Sequence, residues 1–178
     1  MGASWVAVAA WVRPGIGVQV TGSQDPPQEY LVFRLAEVSY AISAASVIEI
    51  FRAVRIVPFP KAPPVVEGVI NVRGQLIPVL DVRSRFGHKP KPIDAADHLI
   101  VAQASRRMVA LRVDGAMGVE TFDPAGIERP ETFASGIGQV AGVVRLPEGV
   151  LFIHDLEKFL TEAEIQSLAE AERSGVAA

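Results

Sequence analysis

The chain has 178 residues, of which 49% are hydrophobic and 21% charged, with a formal net charge of −3. This is the composition of an ordinary soluble globular protein, long enough for one compact domain or two small barrels sharing an interface, and no basic excess argues for nucleic acid or an anionic membrane surface as a partner. There is no cysteine, so disulfides, thiolate metal sites and a cysteine nucleophile are excluded, and a cytoplasmic setting fits.

Residues 4–12 (SWVAVAAWV) form an apolar run of nine. A membrane-spanning helix needs about 20 residues, and no Lys or Arg precedes the run as it would in a secretory signal. Two readings stay open: a loosely ordered extension, or an apolar strand or helix that docks somewhere. Residues 21–28 (TGSQDPPQ) read as a linker. Residues 1–28 are therefore taken as an N-terminal extension, loosely ordered, with the folded domain running from 29 to 172.

The body reads mostly as short strands. Residues 30–35 (YLVFRL) alternate and are rich in β-formers, and residues 38–43 (VSYAIS) follow closely enough to make a hairpin. Residues 43–46 suit a brief helical turn. Residues 47–51 (VIEIF) form a β-branched strand with Glu49 alone among apolar neighbours, and residues 54–59 (VRIVPF) read as another strand before a run of prolines. Residues 68–72 and 75–80 flank a turn at Arg73-Gly74, where glycine supplies a positive φ at little cost. Pro78 inside the second run predicts an edge position or a bulge. Asp81 is placed to cap a short helix through Phe86, with Gly87 as its stop. Residues 87–94 read as a loop and a subdomain boundary.

The second half repeats this style. Residues 98–104 and 108–114 form a predicted hairpin, residues 118–122 a further strand, and residues 124–137 a long loop. Residues 137–146 and 150–154 form another hairpin turned at Pro147-Glu148-Gly149. Thr161 and Glu164 have capping-box spacing, and Ile165, Leu168 and Ala169 give the helix that follows one apolar stripe. A weak internal echo relates residues 79–86 to 153–160: a strand end, an aspartate, then a short amphipathic helix.

No catalytic constellation stands out, and no cofactor or metal site is expected. His88, His98 and His154 lack metal-ligand spacing, the glycines form no phosphate-binding loop, and Ser135 is not in a nucleophile elbow. Asp81 and Asp155 read as helix caps rather than an acid/base pair. What remains is a surface question. Glu49 and Arg73 are charged residues within apolar strand segments. Either each lies on the solvent side of its strand, or together they stand beside exposed apolar side chains in a binding patch.

Several segments, in order, carry a resemblance. Residues 29–35, 40–42 and 47–50 look like the opening of a CheW domain. The run from Gly68 through Asn71, Arg73, Gly74 and Pro78 to Asp81 resembles that family's most characteristic stretch, G-x-x-N-x-R-G-x-x-x-P-x-x-D. Residues 110–115 and 151–158 resemble later family segments, so the likeness covers roughly 29–170. Val72 replaces the usual leucine between Asn and Arg, and residues 1–28 have no counterpart. The resemblance implies a mainly β fold of two SH3-like five-stranded barrels sharing an apolar interface, with short helices and a C-terminal helix. The first barrel is set at about 29–87 and the second at about 95–150, followed by a C-terminal strand and helices at 150–172.

The resemblance further implies a non-catalytic adaptor joining the regulatory domain of the histidine kinase CheA to the cytoplasmic tip of a methyl-accepting chemoreceptor, in chemotaxis or a related chemosensory pathway. Such a protein is cytoplasmic, recruited to membrane receptor arrays without inserting. It implies a protein-binding patch of Val47, Glu49, Gly68 and Arg73, with Asn71 and Gly74 shaping the turn that presents Arg73. The alternatives are a regulatory fragment of a larger signalling kinase and an unrelated small β-barrel that binds a ligand.

Overall fold

A computed structural model describes residues 25–104, 107–129, 140–147 and 149–175. The expected loose order of the extension, Ser135 and most of the 124–137 loop lie outside the described residues. The strands run, in chain order, β1 (Gln28–Leu35), β2 (Val38–Ser43), β3 (Val47–Arg52), β4 (Val66–Val72), β5 (Gln75–Leu80), β6 (His98–Ala104), β7 (Arg107–Val113), β8 (Gly115–Phe122), β9 (Val140–Leu146) and β10 (Gly149–His154), followed by helix α1 (Glu162–Gly175). They form two five-stranded sheets, ordered β8-β1-β2-β10-β9 and β3-β6-β7-β5-β4.

The two sheets have the same plan. Each contains one parallel pairing, β2 with β10 and β7 with β5, and the other pairings are antiparallel. In each, the outermost hairpin strand is met by an isolated bridge from the preceding connector: Val57 with Val69 on β4, and Glu128 with Val143 on β9. Gly68 and Gly142 stand just before those bridges. A Cβ on Gly68 would lie 2.2 Å from the Val57 carbonyl oxygen, and one on Gly142 2.3 Å from an Ile127 methyl. Each hairpin ends at an aspartate whose carboxylate accepts a backbone N–H two residues on, Asp81 from Arg83 at 3.0 Å and Asp155 from Glu157 at 3.1 Å. The echo between residues 79–86 and 153–160 thus marks equivalent corners.

Alternation along the strands gives each sheet two apolar faces. One cluster sits within the second sheet (Phe51, Ile70, Val72, Ile77, Val79, Leu99) and another within the first (Tyr30, Val32, Ala41, Val144, Leu151, Ile153). The largest cluster is the seam between them, where Leu31, Phe33 and Ile42 of the first sheet meet Ile50, Ile100 and Leu111 of the second. Leu156, Phe159 and Leu168 close the end of this seam. Thr161 and Glu164 make the expected capping box, with Thr161 N–H donating to the Glu164 carboxylate at 2.8 Å and Glu164 N–H to the Thr161 hydroxyl at 3.3 Å.

Five expectations need correction. Each sheet draws on both halves of the chain, so the segments 29–87 and 95–150 are not the two sheets; β3, β4 and β5 pair with β6 and β7 because the seam requires β1 and β2 to face them. Residues 54–59 are not a strand: only Val57 bridges to β4, and Pro58 and Pro60 prevent a ladder. Pro78 lies on an internal strand, but β5 pairs with β7 only from Val79, so Pro78 is at a local edge. Residues 81–87 form turns rather than a helix, because Phe86 is drawn onto Tyr40, with ring centroids 4.4 Å apart, and Gly87 reverses the chain at φ 72°. β8 begins at Gly115, three residues before the expected start.

Candidate functional site

The site is built on the β4–β5 hairpin. β4 places Ile70 and Val72 inward and Val69 and Asn71 outward. Asn71 pairs with Leu76 across the ladder, and both side chains are exposed. At the turn, Arg73 and Gly74 both take positive φ, 52° and 88°, the geometry of the tight hairpin turn that matches strand twist. The Asn71 side-chain oxygen accepts the Gly74 N–H at 2.8 Å and fixes that turn. Gly74 meets the turn's demand cheaply; Arg73 does not, since a left-handed conformation costs a residue with a Cβ about 1 kcal/mol or more.

Arg73 is aimed across the sheet. Its guanidinium donates to Glu49 at 3.0 Å, with the arginine side chain 74% exposed and the glutamate side chain 10%. Glu49 belongs to β3 and Arg73 to the end of β4, which are the two outer strands of this sheet. The ion pair therefore joins opposite edges and curls the sheet towards closure. The pairing of β3 with β6 slips between Val47 and Glu49, leaving Ile48 as a bulge residue 48% exposed. Leu76 and Val57 are 61% and 52% exposed. The outward strip thus runs from Ile48 past the ion pair to Asn71 and Leu76, and on through Val69 to Val57.

Of the six expected patch residues, Glu49, Asn71, Arg73 and Gly74 come together. Glu49 is buried, against the simple reading that both charges face solvent. Val47 is half-buried and packs on the seam, so it supports β3 from behind. Gly68 offers no side chain; its bare Cα admits the connector so that Val57 and Val69 exchange backbone hydrogen bonds at 2.8 and 2.9 Å. Sequence reasoning missed Ile48, Val57 and Leu76. Period-two alternation places Leu76 outward in retrospect, but the bulge at Ile48 leaves no mark in the pattern.

A second cluster of polar side chains is structural. Arg112, buried on β7, donates to Glu67 at 2.7 Å and to Asp97 at 3.2 Å. Lys91 bridges Asp97 at 2.7 Å and Asp114 at 2.8 Å, and Arg83 also pairs with Asp114. Asp114 further accepts the Ala36 N–H at 2.6 Å, which ties the β1–β2 turn to the second sheet. Burial pushes the Asp114 carboxyl up, but the Lys91, Ala36 and Arg83 hydrogen bonds outweigh it and bring it down to about 2. For Asp97, burial likewise opposes, and Lys91, the Asp94 backbone and Arg112 lower it. Every charge here is compensated within the protein. Among the described residues no group of three or more metal-ligating side chains converges, and no helix is long and apolar enough to cross a membrane.

Comparison with known proteins agrees with this architecture. The family model described as the CheW-like domain matches residues 29–164. The chain is 26% identical over 151 residues to the chemotaxis protein CheW of Treponema pallidum, covering 82% of this chain and 89% of that one. It is 29% identical over 140 residues to CheW of Klebsiella aerogenes, covering 78% and 84%. The crystal structure of the scaffolding protein TtCheW from Thermoanaerobacter tengcongensis superposes with a TM-score of 0.71 at 28% identity, covering 78% of this chain and 96% of that one. With the model spanning most of the chain and the fold matching a solved member, this protein belongs to the CheW-like domain family.

Proposed function

We propose that this chain is a non-catalytic adaptor that couples methyl-accepting chemoreceptors to the histidine kinase CheA, in chemotaxis or a related chemosensory pathway. It works in the cytoplasm, at receptor arrays to which its partners recruit it. Family membership supports the coupling role. The observation that carries the choice of surface is Arg73: an exposed arginine held in a left-handed turn position that Asn or Gly would fill at lower cost. Glu49 fixes its direction, and Ile48, Val57 and Leu76 supply apolar area beside it. Arginine and large apolar side chains at the centre of such a patch are the usual anchors of binding energy. The receptor tip, a helix, packs along this strip.

An adaptor needs a second surface for its second partner. The common plan of the two sheets supplies one, since the β9–β10 hairpin of the first sheet carries Val150, 43% exposed, at the position equivalent to Leu76. Arg73→Glu puts a carboxylate beside Glu49 and inverts the patch. In pull-downs with kinase and receptor fragments, the native chain retains both and the variant loses at least one by tenfold or more. Unchanged retention of both by a folded Arg73→Glu protein rules this surface out.

A further inference from the structure

We infer that residues 88–94 (HKPKPID), in the link from β5 to β6, are a docking segment for a partner protein whose groove is lined by aromatic rings and edged by carboxylates. The link leaves the end of β5 opposite the Arg73 turn, and the inference does not rest on the coupling role. Pro90 and Pro92 fix their own φ near about −65° and keep the residues before them, Lys89 and Lys91, out of the helical region. Four consecutive residues are thereby held extended, and two of them have no N–H to offer a sheet. The segment carries no helix or strand, and its backbone restrictions are those of the polyproline helix, which has three residues per turn.

The contacts of the segment repeat with that period. His88 Nε2 lies 2.7 Å from the Tyr40 hydroxyl. Lys91 reaches Asp97 at 2.7 Å and Asp114 at 2.8 Å, and its carbonyl accepts from Arg112 at 3.1 Å. The Asp94 N–H donates to Asp97 at 3.0 Å. Residues 88, 91 and 94 thus fasten one face to the body. The other two faces, Lys89 with Pro92 and Pro90 with Ile93, are exposed, Ile93 by 49%. The segment is therefore a ridge. Beside it lies an open depression of about 620 Å³, walled by Lys89 and Pro90 on one side and by Arg34, Ala36 and Glu37 on the other, which gives room for the lip of a groove. Pro90 and Ile93 stand one turn apart, about 9 Å, the repeat that aromatic-lined grooves read in this helix. Lys89 is in no ion pair among the described residues, so a carboxylate at the groove's edge meets it. The anchors at 88, 91 and 94 hold the ridge in its docking shape beforehand, which removes the ordering cost of binding a loop.

Purified SH3 and WW domains with acidic rims carry such grooves and serve as probes. Titrated into the isotope-labelled full chain and followed by NMR, they are expected to give saturable shifts centred on the amides of Lys89, Lys91 and Ile93. The double variant Pro90→Ala with Ile93→Ala is expected to weaken binding by about tenfold or more, with the urea midpoint of the chain unchanged because both side chains are exposed. Lys89→Glu should weaken it similarly and regain affinity for a probe whose rim carboxylates are replaced by lysine. Absence of saturable shifts with every probe overturns the inference. So do shifts centred away from the segment, an affinity that the folded double variant leaves intact, or an affinity indifferent to the charge at residue 89.

Discussion

Gly68 and Gly74 lie six residues apart and are glycine for different reasons. At Gly68 the obstacle is steric, because a Cβ would sit 2.2 Å from the Val57 carbonyl oxygen. At Gly74 there is nothing within 4 Å, and the constraint is the positive φ of 88° alone. Gly68→Ala is therefore expected to destabilise by about 2–3 kcal/mol, as backbone must move, and Gly74→Ala by only about 1 kcal/mol. Urea denaturation of the two variants checks the order; equal losses would mean that the Val57–Val69 bridge is dispensable. The residues that shape the turn were legible in the sequence, since Asn71, Arg73 and Gly74 sit at fixed offsets in a hairpin. That Glu49 is buried was not legible, because its partner is 24 positions away and meets it only when the sheet curls.

At the scale of elements, the hairpins β4–β5 and β9–β10 do the same work in their sheets. Each has a bridging connector, a close-packed glycine and a terminal aspartate that caps the next turn. Local signals found the hairpins and the aspartates, and the echo of residues 79–86 with 153–160 hinted at their likeness; their equivalent places came only from the pairing, because sheet order depends on contacts distant in sequence. The same limit explains residues 54–59, whose apolar alternation resembles a strand but whose prolines allow one bridge. The α1 capping box was legible, being local. Thr161→Ala is expected to cost about 1 kcal/mol, read as a lower thermal midpoint. Glu164→Ala should cost more, since Glu164 also pairs with Arg85. Burial raises the Glu164 carboxyl, but the Thr161 backbone and Arg85 win and hold it below its ordinary range.

At the scale of the whole molecule, two devices join the sheets: the apolar seam and the ionic cluster around Arg112 and Asp114. Arg112→Met leaves Glu67 without its buried cation and weakens the hold on Asp97, with an expected loss of about 3 kcal/mol. Asp114 predicts the acid response. Its folded carboxyl, at about 2, lies below the ordinary value of 3.8. Its contribution is thus complete above about pH 4 and is lost as pH falls towards 2. Asp114→Asn should flatten that part of the stability–pH curve, measured as the urea midpoint; an unchanged slope would assign acid sensitivity to other carboxylates.

The central claim is that the molecule bridges two partners, one of them held on the Arg73 surface. Co-sedimentation of kinase with receptor-bearing membranes tests it most directly. Kinase should pellet with the membranes when the native chain is present, and stay in the supernatant when the chain is omitted or replaced by folded Arg73→Glu. Equal pelleting of kinase in all three cases would contradict the claim.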